Sequence, residues 1–170
     1  IIFCEDFAAK TIVEKVLESM NKRQYFDVEY NPGGEKTLLT KYLPTFVTHY
    51  FFKEKVFLVL DGDMQTDYVL NMDELTVKQE KNVSYMKECV NKAYGVDIQA
   101  YIDGGQGGKR EDQEIKIYKE YLKYHNNSVF YLPNKSIPEK ILLESKYVAE
   151  EYGDIVNENM EITNANAKGI

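Results

Sequence analysis

Three carboxylates fall where short apolar runs end: Glu5 follows Ile1 to Cys4, and Asp61 and Asp63 follow Val56 to Leu60. Ligands of open α/β sheets bind outside the carboxyl ends of the strands, so these acids are expected to share one crevice. Asp61 and Asp63 bracket Gly62, which leaves the backbone free to turn both side chains toward one point. A Glu with an Asp-x-Asp pair is an all-oxygen donor set. It suits a hard divalent cation such as Mg²⁺ or Mn²⁺, which takes one or two carboxylates, waters and substrate phosphate. Strand-end acids also serve as turn formers and helix caps, and one Asp-x-Asp arises readily by chance. Metal is favoured by the combination, because neighbouring acids repel unless a cation, a distant basic group or raised pKa values relieve them.

The elements that must position these acids follow from periodicity. Ile1 to Cys4, Phe26 to Tyr30 and Val56 to Leu60 read as strands, the last continuous enough to be covered on both faces. Between them, residues 8 to 20 carry Ile12, Val13, Val16, Leu17 and Met20 on one helical stripe. Leu38, Leu39, Tyr42, Leu43, Phe46, Val47 and Tyr50 mark a second helix after the Asn31-Pro32-Gly33-Gly34 turn. This alternation predicts an α/β fold with a mostly parallel central sheet flanked by helices. Further on, the spacing predicts a helix over about Val77 to Ala93, an added strand over Ile98 to Ile102 and a helix over 111 to 125. Val129 to Leu132 reads as a strand, and a last helix is expected behind Ser136 as N-cap with Pro138 in its first turn.

With 170 residues, 44% hydrophobic and 29% charged, the chain is expected to form one folded domain over 1–152, with a helical insertion over about 64–127. Residues 153–170 read as a flexible or truncated C-terminal segment. No apolar run approaches the roughly 20 residues of a spanning helix, so no membrane is expected. The net charge of −7 excludes a broad positive field for polyanions, and any nucleic acid must be held locally, for instance through a metal held by acids. Cys4 and Cys89 have no CxxC pairing and read as reduced thiols of a cytoplasmic protein. The start at Ile1 suggests a piece of a larger protein. His49 and His125 lack ligand-spaced partners and read as packing or surface residues. Most of the fourteen tyrosines fall on helical apolar stripes and read as core.

The order of apolar strand, Glu5, amphipathic helix, strand with Gly33-Gly34 turn, helix, and strand ending in Asp61-Gly62-Asp63 resembles a TOPRIM domain. Topoisomerases, bacterial primases and the OLD-type (overcoming lysogenization defect) nucleases share that Rossmann-like domain. Val129-Phe130-Tyr131-Leu132-Pro133 with Ile137-Pro138-Glu139 is similar to a strand-then-Pro-Glu helix of ATPase-linked OLD-like nucleases in bacterial anti-phage defence. The resemblance covers residues 1–63 and, more loosely, 128–145. It implies Mg²⁺- or Mn²⁺-dependent cleavage of DNA, with Glu5 as general base or metal ligand and Asp61 and Asp63 as ligands. It also implies an ATPase domain in the same full-length protein, and a homo-oligomer formed through it. Two metals flanking the scissile phosphate occur in such members. A second acid often stands four residues after the first Glu, where this chain has Ala9, and Asp6 takes a position that is often Gly. Glu139 and Asp103 are the remaining candidates for a second site, although Glu139 also suits its helix N-terminus. Lys109, at the end of the Gly-rich run 103–109, is the candidate cation for transition-state charge, against the plainer reading of a solvated loop lysine. That run is not a P-loop, since GxxxxGK[ST] is missing.

Other classes share parts of the pattern. A phosphorelay receiver also places acids after strands one and three, but Asp63 and the long insertion fit it poorly. A nucleotide-sugar transferase uses Asp-x-Asp, and a haloacid-dehalogenase-type phosphatase wants Thr or Val where this chain has Gln65. A degenerate TOPRIM fold serving dimerisation or DNA docking is the non-enzymatic reading, supported by Ala9.

Overall fold

The computed structural model describes residues 1–49, 52, 54–102, 110–145 and 162–169. Four parallel strands form its sheet: β1 (Ile2–Cys4), β2 (Val28–Tyr30), β3 (Phe57–Leu60) and β4 (Val129–Tyr131), in the order β2-β1-β3-β4. Phe3 lies opposite Glu29 on one side and Leu58 on the other, and Leu58 pairs in turn with Val129. The chain therefore leaves β1 outward to β2 and returns across it to β3. That reversal is the topological switch point of a doubly wound sheet, and it opens a crevice above β1 and β3.

Alternate strand residues feed two cores, as the pleat requires. Cys4, Val28 and Val59 pack with Ile12, Val13, Leu17, Leu132 and Ile141 on the face covered by α1 (Phe7–Ser19). Asp6 starts that helix by accepting the Ala9 amide at 2.8 Å. Asn21, at φ 54, ends it in the left-handed conformation common just past helices. Leu58, Leu60 and Val129 point to the larger core on the other face. β3 is thus fully buried on one side only, and Phe130 on β4 remains 53% exposed.

The helix expected from Leu38 to Tyr50 starts earlier, as α2 (Gly34–Thr37), and widens to a π-turn over Leu38–Tyr42 before α3 (Leu43–Thr48). Pro44 has no N–H to continue the α ladder, and the Leu43 amide reaches back to Leu38 O instead. Tyr50 lies outside the described residues. The single helix expected over 77 to 93 is two, α4 (Val77–Glu80) and α5 (Val83–Tyr94), because Thr76 and Asn82 each cap a separate start. Ile98 to Ile102 forms no strand. Its backbone is satisfied by side chains: Asn91 Oδ1 accepts from the Ile98 amide at 3.0 Å, and Tyr121 Oη donates to Gln99 O at 3.3 Å.

The stretch read as an insertion builds half of the main core. Met86, Cys89, Val90, Ala93 and Tyr94 of α5 pack with Tyr118, Tyr121, Leu122 and Tyr124 of α6 (Arg110–Ser128). The tyrosines expected in the core are satisfied there, with Tyr94 Oη donating to Tyr121 O at 2.9 Å and Tyr124 Oη to Val56 O at 2.7 Å. Tyr25, Tyr30, Tyr42 and Tyr101 are exposed.

After β4, α7 (Pro138–Leu143) starts from Ile137 rather than Ser136, whose hydroxyl donates to Asn134 O at 3.3 Å. Part of the segment expected to be flexible forms α8 (Asn164–Ala167), capped by Thr163 and docked through Asn164, which bonds the Ile137 amide and Lys135 O. No helix among the described residues is long and apolar enough to cross a membrane. Both cysteines are buried and free, and burial pushes the Cys4 thiol up to about 12.

Candidate functional site

The crevice at the switch point is lined with acids from four parts of the chain. Glu5 follows β1, and its Oε2 accepts the Asp61 amide at 3.2 Å, tying the ends of β1 and β3 together. Asp61 follows β3 and is 5% exposed, whereas Asp63 opens to solvent. Glu139 stands in the first turn of α7 and Glu35 in the first turn of α2.

Gly62 explains how α7 arrives there. A Cβ on it would overlap Leu132 O and stand 2.6 Å from Ser136 N, and its own amide donates to Ser136 O at 2.9 Å. The sequence suggested that Gly62 frees the backbone to bend. Its φ is not positive, and what it provides is room for the turn after β4 to press against the Asp-Gly-Asp segment. That contact brings Glu139 within the electrostatic reach of Asp61.

Electrostatics mark this cluster off from ordinary surface acids. Burial pushes the Asp61 carboxyl up to about 7, and Glu5, Asp6, Asp63 and Glu139 add to the shift. Burial likewise pushes Glu5 up to about 6, partly opposed by the bond from the Asp61 amide, with Glu35, Asp6 and Asp63 adding to the rise. Glu35 is raised by burial and by Asp63. Each charged neighbour acting on these three groups is an acid. Among the described residues, no ion pair reaches Glu5, Glu35, Asp61, Asp63 or Glu139.

Among the described residues, three buried carboxylate oxygens have no hydrogen-bond partner: Asp61 Oδ1, Glu35 Oε1 and Glu139 Oε2. A buried carboxylate oxygen without a donor is costly unless something positive meets it. Oxygen-only donors turned inward, with no Lys or Arg paired to them, fit a hard cation. As they stand, no three His, Cys, Asp or Glu side chains among the described residues are gathered closely enough to form a metal-binding group.

The other expected site residues are dispersed. Asp6 is engaged as the cap of α1. Ala9 is 0% exposed in the α1 core, so α1 offers the crevice no carboxylate at that position. Lys109 and Asp103 lie outside the described residues. His125 is a packing residue, with Nε2 3.0 Å from Tyr131 Oη and its ring against Tyr94. His49 packs on Phe52. Glu35 was not singled out from the sequence; the available signal was its place directly after Gly33-Gly34, in the turn that follows β2. Comparison with protein-family models, with curated proteins and with solved structures returns no match.

Proposed function

We propose that this chain is a TOPRIM-like, divalent-cation-dependent DNA endonuclease domain, working beside an ATPase domain of an OLD-like full-length protein, in a homo-oligomer formed through that protein. The observation that carries the reading is Asp61, almost fully buried at the switch point with an unpartnered Oδ1 and only acids acting on it. Glu5, Asp61, Asp63 and Glu139 would hold Mg²⁺ or Mn²⁺. When bound, the cation would neutralise phosphate charge and lower the pKa of water. Glu5, whose Oε2 accepts the Asp61 amide, would serve either as a ligand of that cation or as the group that accepts a proton in the reaction. Lys109 remains the proposed transition-state cation.

The surface beside the crevice supports a polynucleotide substrate. Phe7, 64% exposed, meets Tyr30 edge-on at a centroid distance of 5.6 Å, and Lys10 Nζ stands 6.0 Å from the Tyr30 ring. These rings follow β1 and end β2, next to Glu5, and offer faces on which bases can stack. The net charge of −7 leaves the cation as the main local attraction for phosphate.

The test is supercoiled plasmid with Mg²⁺ or Mn²⁺, comparing wild type, Asp61→Ala and an EDTA control. Metal-dependent nicking by the wild type, lost in Asp61→Ala and in EDTA, is expected. A second reading, a phosphorelay receiver, draws on the same strand order and on Glu5 beside Asp61. It requires acetyl phosphate to label Asp61, and labelling without nicking would favour it.

A further inference from the structure

We propose that Glu35 is a further cation ligand of this site, so that a divalent metal of the Mg²⁺ or Mn²⁺ class is held by an arm from the β2–α2 turn as well as by the ends of β1 and β3. This rests on the cation-binding reading of the crevice and names a ligand that the Glu-and-Asp-x-Asp pattern does not contain.

The turn that carries Glu35 is built to fix it. Asn31 is 3% exposed, and its Nδ2 donates to Gly34 O at 2.8 Å while the Gly34 amide donates back to Asn31 O at 3.2 Å. Gly34 sits at φ +66, in the left-handed region where a side chain is strained. Closed on itself in this way, the loop sets the direction in which the next residue leaves. Glu35 leaves inward. An acid in a first helical turn gains by facing solvent near the N–H groups, yet Glu35 Oε1 is buried and has no partner. The ionisable groups that act on it and on which it acts include Asp63, Glu5 and Tyr131, none of them basic. Asp61, nine-tenths buried with its own orphaned Oδ1, lies in the same crevice beside Glu5 and Asp63. Two buried carboxylate oxygens without donors, Glu35 Oε1 after β2 and Asp61 Oδ1 after β3, belong to side chains that both feel the Asp63 charge, and a cation is the group that would satisfy them together.

The experiment is Mn²⁺ titration of the 170-residue chain, read by the paramagnetic resonance of free Mn²⁺ and by calorimetry, for wild type, Glu35→Gln, Glu35→Asp and Asp61→Asn. Thermal unfolding with and without Mn²⁺ accompanies it. Glu35→Gln is expected to weaken Mn²⁺ binding at least about tenfold. It is also expected to keep or raise the metal-free Tm and to lose most of the Tm gain on adding Mn²⁺. Glu35→Asp, which keeps the charge, is expected to fall between. Wild-type Mn²⁺ affinity in Glu35→Gln, with Asp61→Asn impaired, overturns the role of Glu35 alone. A lowered metal-free Tm with unchanged affinity makes Glu35 a structural residue and does the same. No binding by wild type overturns the cation reading of the crevice itself.

Discussion

An acid buried beside other acids is easier to keep folded when it carries its proton, and Asp61 is the clearest instance here. Burial, with the neighbouring acids adding to it, pushes its carboxyl up to about 7 from an ordinary value of 3.8. The stabilising contribution of the protonated form is therefore fully present below the unfolded pKa and is lost as pH rises from about 4 through about 7. Glu5, raised to about 6, acts in the same direction over a narrower window. Asp61→Asn removes the charge at similar shape. In EDTA its Tm is expected to match wild type near pH 4 and to exceed it above pH 7. At about 1–3 kcal/mol for relieving a buried unsatisfied group, and ~2–4 °C per kcal/mol at this chain length, the gap is several degrees by calorimetry. A gap independent of pH would mean that Asp61 is not carrying buried charge. Glu5, Asp61 and Asp63 were legible in the sequence because each abuts an apolar run. Glu35 was not, because Gly33, Gly34 and Lys36 around it read as a solvated turn, and only the fold shows which oxygen points inward.

The turn between β4 and α7 does as much for the crevice as the strands do. It seats against Gly62 with no space for a methyl group. Gly62→Ala is expected to cost about 1–3 kcal/mol through overpacking, seen as a Tm lowered by several degrees, and to weaken Mn²⁺ binding by shifting Glu139 away from Asp61. An unchanged Tm would mean that the Leu132–Ser136 backbone yields freely. Elements with strong period and clear ends were readable: β1, α1, β3 and α6 lie close to where apolar spacing puts them. The misread elements were decided by side chains acting on backbone. Asn82 divides one expected helix into two, and Asn91, Tyr118 and Tyr121 satisfy the amides and carbonyls of 98–100, so that segment needs no strand partner. Neither effect leaves a trace in hydrophobic periodicity. Pro44 did carry a local signal, and its effect is a widened turn rather than a break.

At the scale of the molecule, the sheet is short, parallel and closed by pairings far apart in sequence. β3 pairs with β1 across α1, β2 and the helices that follow it in the chain, and β4 pairs with β3 through Leu58 and Val129 across α5 and α6. Parallel pairings of such separation form slowly, since loop closure precedes any gain from contact. The acids stand beyond the ends of these strands, and Glu139 reaches Asp61 only when the turn after β4 is seated on Gly62. Their mutual repulsion is therefore expected to arise late on the folding route, after the barrier. In stopped-flow experiments Mn²⁺ is expected to leave the refolding limb nearly unchanged and to slow the unfolding limb. A bound cation would then act as a latch on a finished fold, setting how long the native state lasts rather than how quickly it is reached.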